Sequence, residues 1–265
     1  MKPASPQPNV PVIEMIGVTI MSRRALAQVA VAEVNWTVAT EDFWVIGGLQ
    51  DSGKSDLLAT AAALAKPQSG TYRLFGQEIA PTYDNECLAE RLRVALVFGE
   101  GGRLFNHLTA RDNVALPLHY HQRLSAAETE MRVASLLEAT EITTWADLPP
   151  SFMNQSRRQR VALARALALK PEVLLLDNPL AGLDPRETRW WTDFLNQLHL
   201  GHPLLDHRPM AIIVAADDLR SWRQPNRKFA FLENARFTLL DDPFTFVPPP
   251  DHILRELLAS ETNPS

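Results

Sequence analysis

Only one cysteine, Cys87, occurs in the 265 residues. That excludes an internal disulfide framework and fits a reducing compartment. No stretch reaches the ~18 uninterrupted apolar residues of a membrane span. The richest, from Val161 to Leu176, is broken by Arg165, Lys170 and Pro171. Basic charge is also short: 26 Lys and Arg face 31 Asp and Glu, a net −5. No overall basic field exists to attract nucleic acid, so no nucleic-acid partner is expected. The opening MKPASPQPNVP has four prolines and no apolar h-region, and residues 1–11 therefore read as a flexible arm, not a signal peptide. Internal repeats and low-complexity tracts are absent. These absences together predict a cytoplasmic protein.

What is present is ordinary globular material, with 46% hydrophobic and 22% charged residues. The length suits one large α/β domain, alone or with a small helical insert. Val10–Val18, Val34–Val38, Phe43–Ile46 and Val94–Phe98 read as strands. Val173–Leu176 is continuously apolar between Pro171 and Asp177, the pattern of a strand buried on both faces. Ala211–Ala215, Phe229–Leu232 and Arg236–Leu240 supply further strands. Helices are predicted from Ser55 to about Ala65 and from the Asp184-Pro185 cap through Leu200. Between Asn106 and Lys170 helical signals dominate, including the capping-box pattern Ser125-Ala-Ala-Glu128. Strands alternating with helices predict a parallel-sheet core, with residues 106–170 as an inserted helical subdomain. The triple proline Pro248–Pro250 sets off residues 246–265, with a short helix predicted over Asp251–Ala259.

The sharpest local pattern is Gly48-Leu49-Gln50-Asp51-Ser52-Gly53-Lys54-Ser55, which fits G-x-x-x-x-G-K-[ST] between a predicted strand and a predicted helix. Glycines let backbone N–H groups turn inward around phosphate oxygens, and the helix N-terminus adds its dipole. Lys54 would reach the outer phosphates of a nucleotide such as ATP, and the Ser55 hydroxyl would hold Mg²⁺. Two carboxylates, Asp51 and Asp56, sit in or beside this loop. If they face the ligand, one of them ~6 Å from a phosphate charge costs roughly 2–3 kcal/mol before screening. The alternative is that both point into water, most plausibly Asp56 on the first helical turn.

Further along comes Arg157-Arg-Gln-Arg-Val-Ala-Leu-Ala-Arg-Ala-Leu, and then Val-Leu-Leu-Leu-Asp177-Asn178-Pro-Leu-Ala-Gly-Leu-Asp184-Pro185. Together with the phosphate loop, this run resembles the signature helix, Walker B strand and D-loop of the ABC-type ATPases. The likeness extends from about Ile13 to about Leu240. Within it, Phe105–Leu118 is similar to the segment after the Q-loop in ATPase subunits of Mce-associated bacterial lipid transporters. The resemblance implies a P-loop NTPase fold of ABC type over residues 12–245, a mixed sheet with an antiparallel β edge and an inserted helical subdomain. It implies Mg²⁺ oriented by Ser55 and Asp177, and Asp184 reaching across a dimer interface. It also implies a homodimer or a heterodimer with another ABC ATPase subunit. The implied partner is an integral-membrane permease, so that the chain sits peripherally on the inner face of the membrane.

The remaining motifs depart from the family. Where it has a Glu to activate water, this chain has Asn178; an amide cannot take the proton, and losing a general base typically costs 10²–10⁴-fold. The switch-histidine place falls at Asp217, and the Q-loop glutamine place at Gly99, with one apparent extra residue nearby. Met153-Asn154-Gln155-Ser156-Arg157 replaces the glycine-paired signature. No aromatic residue lies between Ile13 and Trp36 to stack on a base. Two readings follow. One is an ATP-binding transporter subunit that binds Mg-ATP weakly and hydrolyses little or none. The other is an ABC-fold pseudo-ATPase acting as a regulatory or scaffold protein, without transport or nucleotide.

Overall fold

Continuous apolar runs build the middle of the sheet. In the computed structural model, which describes residues 11–25, 27–79, 87–99, 101–122 and 124–240, β7 (Val173–Asp177) and β8 (Ala211–Ala216) are buried almost throughout. They pair in parallel with each other; β6 (Val94–Val97) flanks β7, and β3 (Phe43–Gly48) flanks β8. A strand covered on both faces cannot spare alternate positions for polar side chains, which is why these segments lack alternation. β9 (Lys228–Glu233) continues the parallel set beside β3, and β10 (Arg236–Leu240) turns back antiparallel to β9.

The other half of the sheet is antiparallel. β1 (Ile13–Met21) lies between β2 (Val29–Val38) and β4 (Ser69–Leu74), and β4 pairs with the two-residue β5 (Gln77–Glu78). A single parallel pair, Arg236 opposite Ala32, joins the halves into one ten-stranded sheet, in the order β5-β4-β1-β2-β10-β9-β3-β8-β7-β6. In β2, Val31, Val34, Trp36 and Val38 face inward and polar residues lie between them. The fold class is therefore the expected α/β arrangement, a mixed sheet with an antiparallel edge.

One apolar cluster packs α1 (Lys54–Ala61) against the antiparallel half. The other joins the far face of the parallel strands to α3 (Ala110–His121), α4 (Ala126–Ala139), α5 (Gln155–Leu167) and α6 (Pro185–Gly201). A four-residue α2 (Leu88–Arg91) precedes β6. Helices α3 to α5 all lie between β6 and β7 in the chain. Ser125 caps α4 and accepts from the Glu128 amide, while the Glu128 carboxylate accepts from Ser125. Trp191 is fully buried; Trp190 stacks on Phe194 at 5.0 Å with the Arg160 guanidinium 3.7 Å from its ring centre.

Several local expectations need correction, beginning with the first strand, which runs Ile13–Met21 and not Val10–Val18. Helix α1 stops at Ala61, about one turn short of Ala65, because Ala63 takes a left-handed conformation (φ 52) and Leu64 N–H turns back to Ala59. Strand β4 went unread; only Tyr72 and Leu74 of its six residues are buried, too few for a period-two count. Strand β2 begins five residues before Val34, at Val29, with Glu33 at φ 49 disturbing the alternation where its register against β1 shifts. The predicted N-terminal arm, save Pro11, and the predicted helix Asp251–Ala259 lie outside the described residues.

Candidate functional site: a phosphate loop closed by its own charges

Strand β3 delivers the chain to the loop and α1 carries it away. Two glycines are required by contact. A Cβ on Gly48 would lie 2.6 Å from the Leu232 carbonyl, and Gly53, at φ 98, would bring one within 2.8 Å of the Ala30 carbonyl. Gly53 is also the N-cap of α1, so the free amides of the first turn open toward the loop. The loop residues Leu49, Gln50, Asp51, Ser52, Lys54, Ser55 and Asp56 line a cleft of ≈ 1200 Å³ that also takes in Gly99, Asp177, Asn178 and Asp217.

Lys54 is turned into this cleft and is 6% exposed. Its ammonium donates to the carbonyls of Gly48 and Leu49, each at 2.6 Å, and to Ser52 Oγ at 3.3 Å. It also pairs with Asp217 Oδ1 at 2.9 Å. The other Asp217 oxygen accepts from Asn178 Nδ2 at 2.6 Å. A carboxylate and an amide thus stand side by side where the resemblance implies a histidine and a glutamate. Gly99 follows β6, and a Cβ there would approach the Asp177 carbonyl at 3.1 Å.

Asp51 and Asp56 each have a cation that sequence reading missed. Arg23 Nε donates to Asp56 at 2.9 Å, and Arg24 Nη1 to Asp51 at 2.7 Å. Both arginines lie in the β1–β2 connection. Asp56 is largely covered by its partner, whereas the Asp51–Arg24 pair is open to water, with side chains 71% and 76% exposed. The repulsion that these carboxylates would exert if they faced the ligand is therefore reduced, more at the covered Asp56 than at the solvent-screened Asp51. No signal could have revealed the pairs from sequence, because the partners are 33 and 27 residues apart.

The signature segment makes hydrogen bonds to neighbouring elements of the chain. Asn154 caps α5 by accepting from the Arg157 amide, Gln155 donates to the Ala181 carbonyl, and Ser156 donates to Glu187. Asp184 caps α6, accepting from the amides of Arg186 and Glu187. Those two backbone donors hold its carboxyl below the usual carboxylate range.

Comparison with known proteins gives this geometry a family. The family model described as ABC transporter matches residues 31–181. The chain belongs to the ABC transporter family. It is 39% identical over 170 residues to the sulfate/thiosulfate import ATP-binding protein CysA of Synechococcus elongatus, covering 64% of this chain and 47% of that protein. It is 31% identical over 215 residues to the methionine import ATP-binding protein MetN 2 of Paraburkholderia xenovorans, covering 80% of this chain and 55% of that one. The chain thus spans about half the length of the curated relatives it matches. Among solved structures, a dimeric ATP-binding cassette in a post-hydrolysis state with ADP and Pi superposes with a TM-score of 0.75 at 26% identity, covering 87% of this chain and 99% of that one. The fold is accordingly that of an ABC-type P-loop NTPase.

For this ABC protein the implied ligand is ATP with Mg²⁺, and the donors present fit the ion. Ser55 offers a hydroxyl and Asp177 a carboxylate, the hard oxygens of which Mg²⁺ takes one or two from protein and the rest from water and phosphate. Among the described residues no cluster of three His, Cys, Asp or Glu could hold a metal. His199 and His202 are used in packing and capping: the first faces Phe43 and the Met210 carbonyl, the second accepts from the Leu204 amide.

Proposed function

We propose that the chain is an ATP-binding subunit of an ABC transporter with degenerate catalytic motifs, binding Mg-ATP weakly and hydrolysing it little or not at all. One observation carries the reading: Asn178 follows the Walker B carboxylate Asp177, and its amide is bonded to Asp217. An amide has no lone pair basic enough to deprotonate water, and Asp217, which could, is already tied to Lys54. Bound Mg²⁺ would supply charge neutralisation at the phosphates. Around it, this chain's own residues would hold phosphate through loop amides and Lys54, and would leave the attacking water without a base. Weak binding is supported because every proton of Lys54 already has an acceptor within the protein.

The names of the relatives, import ATP-binding proteins, support a role beside an integral-membrane permease. Among the described residues no helix is long and apolar enough to cross a membrane. Transport would therefore need a separate spanning partner, with this chain at the cytoplasmic face. Dimerisation with itself or with another ATPase subunit is supported by the dimeric cassette it superposes on. Calorimetric titration with Mg-ATP tests the binding claim. Weak heat that disappears in Lys54→Ala is expected; low-micromolar affinity, or binding indifferent to Lys54, contradicts it.

A further inference from the structure

We propose that Asp217 is an internal stand-in for a terminal phosphate, making the loop a site for nucleoside diphosphates in preference to triphosphates. The inference rests on the nucleotide-binding reading above and adds which nucleotide is taken.

The sheet itself places the carboxylate. β3 and β8 run parallel with Gly47 opposite Ala216, so Gly48, the last residue of β3, and Asp217, the first beyond β8, follow side by side. Asp217 then meets the lysine of the loop that Gly48 opens. A lysine ammonium has three protons, and Lys54 faces four acceptors: two backbone carbonyls at 2.6 Å, Asp217 at 2.9 Å and Ser52 at 3.3 Å. Nothing is left for an incoming anion unless one of these is displaced. The carbonyls belong to the loop and cannot leave. Asp217 is the exchangeable partner, and it is an anionic oxygen at hydrogen-bond distance from the lysine, which is what a phosphate oxygen would be.

Asn178 makes the exchange harder. Its amide grips the second oxygen of Asp217 at 2.6 Å, so the carboxylate is held from the phosphate loop and from the end of β7 at once. A diphosphate can rest on amides of the loop and the first turn of α1, with Ser55, and leave the Lys54–Asp217–Asn178 bridge closed. A third phosphate must break that bridge or add its charge beside a carboxylate. The Asp217 side chain is 44% exposed, so water and salt screen much of the repulsion. The preference is therefore expected to be about tenfold, equivalent to about 1.4 kcal/mol.

Equilibrium titration of the full chain with Mg-ADP and with Mg-ATP tests this. The unmodified protein should bind Mg-ADP about tenfold more tightly. In Asp217→Asn, which removes the charge and keeps the shape, the gap should close through tighter Mg-ATP binding. Asp217→Ser is the second variant should the first misfold, and the same closure is expected. Equal affinities in the unmodified protein overturn this inference alone, as does a tenfold gap that survives both substitutions. Binding of neither nucleotide to any of the three proteins overturns the nucleotide-binding reading as well.

Discussion

Asn178 sits at φ 49, in the left-handed region that Asn adopts more readily than Glu. Restoring the family's glutamate there is therefore not a simple repair. Asn178→Glu should cost about 1 kcal/mol in backbone strain, lose the amide bond to Asp217, and set two carboxylates together. We expect a lowered thermal midpoint and no gain in phosphate release; hydrolysis restored by this one substitution would contradict the account. The same residues show how far a sequence can be read. Lys54, Ser55 and Asp177 were legible because each lies in a short contiguous pattern. The bond between Asn178 and Asp217, 39 residues apart, is made by neighbouring strands and leaves no trace in either local pattern. Arg23 and Arg24 were invisible for the same reason, and missing them made the loop look more hostile to phosphate than it is.

At the scale of elements, the segment leading into α3 joins a buried clamp to an exposed aromatic ring. Asn113 is fully buried. It accepts from the Phe105 amide at 2.9 Å, and its own amide donates to the carbonyls of Phe105 at 3.0 Å and Thr109 at 2.9 Å. This clamp fixes the backbone while the Phe105 ring stays 50% exposed against His107. Val114, in the same segment, belongs to the core. An exposed ring on a fixed backbone can be changed without unfolding the protein, since surface substitutions usually stay within about 0.5 kcal/mol. Phe105→Asp should leave the thermal midpoint nearly unchanged and release the chain from a membrane-bound permease. Unfolding by this substitution, or a native chain recovered with no membrane partner, would favour the scaffold alternative. Helix starts were readable where a side chain caps them, as at Ser125 and Asp184. The end of α1 and strand β4 were not, because tertiary contacts decide both: the Tyr72 hydroxyl of β4 donates to the Ala61 carbonyl at the last turn of α1.

At the scale of the whole molecule, the described residues keep the sheet and both apolar clusters of the fold, while on the proposed reading the hydrolytic groups at their shared edge are lost. Hydrophobic burial depends on pattern and volume, which many side chains satisfy; hydrolysis depends on a few groups acting together, and their losses are not repaired singly. That difference explains why the family and fold were legible in the sequence, whereas the internal charge network was not. In a head-to-tail ABC dimer each site would draw on one chain's phosphate loop and the other's signature. On the proposed reading, the residue after the Walker B carboxylate and the signature segment both depart from the family in this chain, so a homodimer would carry two impaired sites. Steady-state phosphate release from purified chain with Mg-ATP, set against Lys54→Ala, tests the central claim most directly. The account predicts indistinguishable rates for the two proteins. Turnover that is clearly above the control and disappears with Lys54 would contradict it.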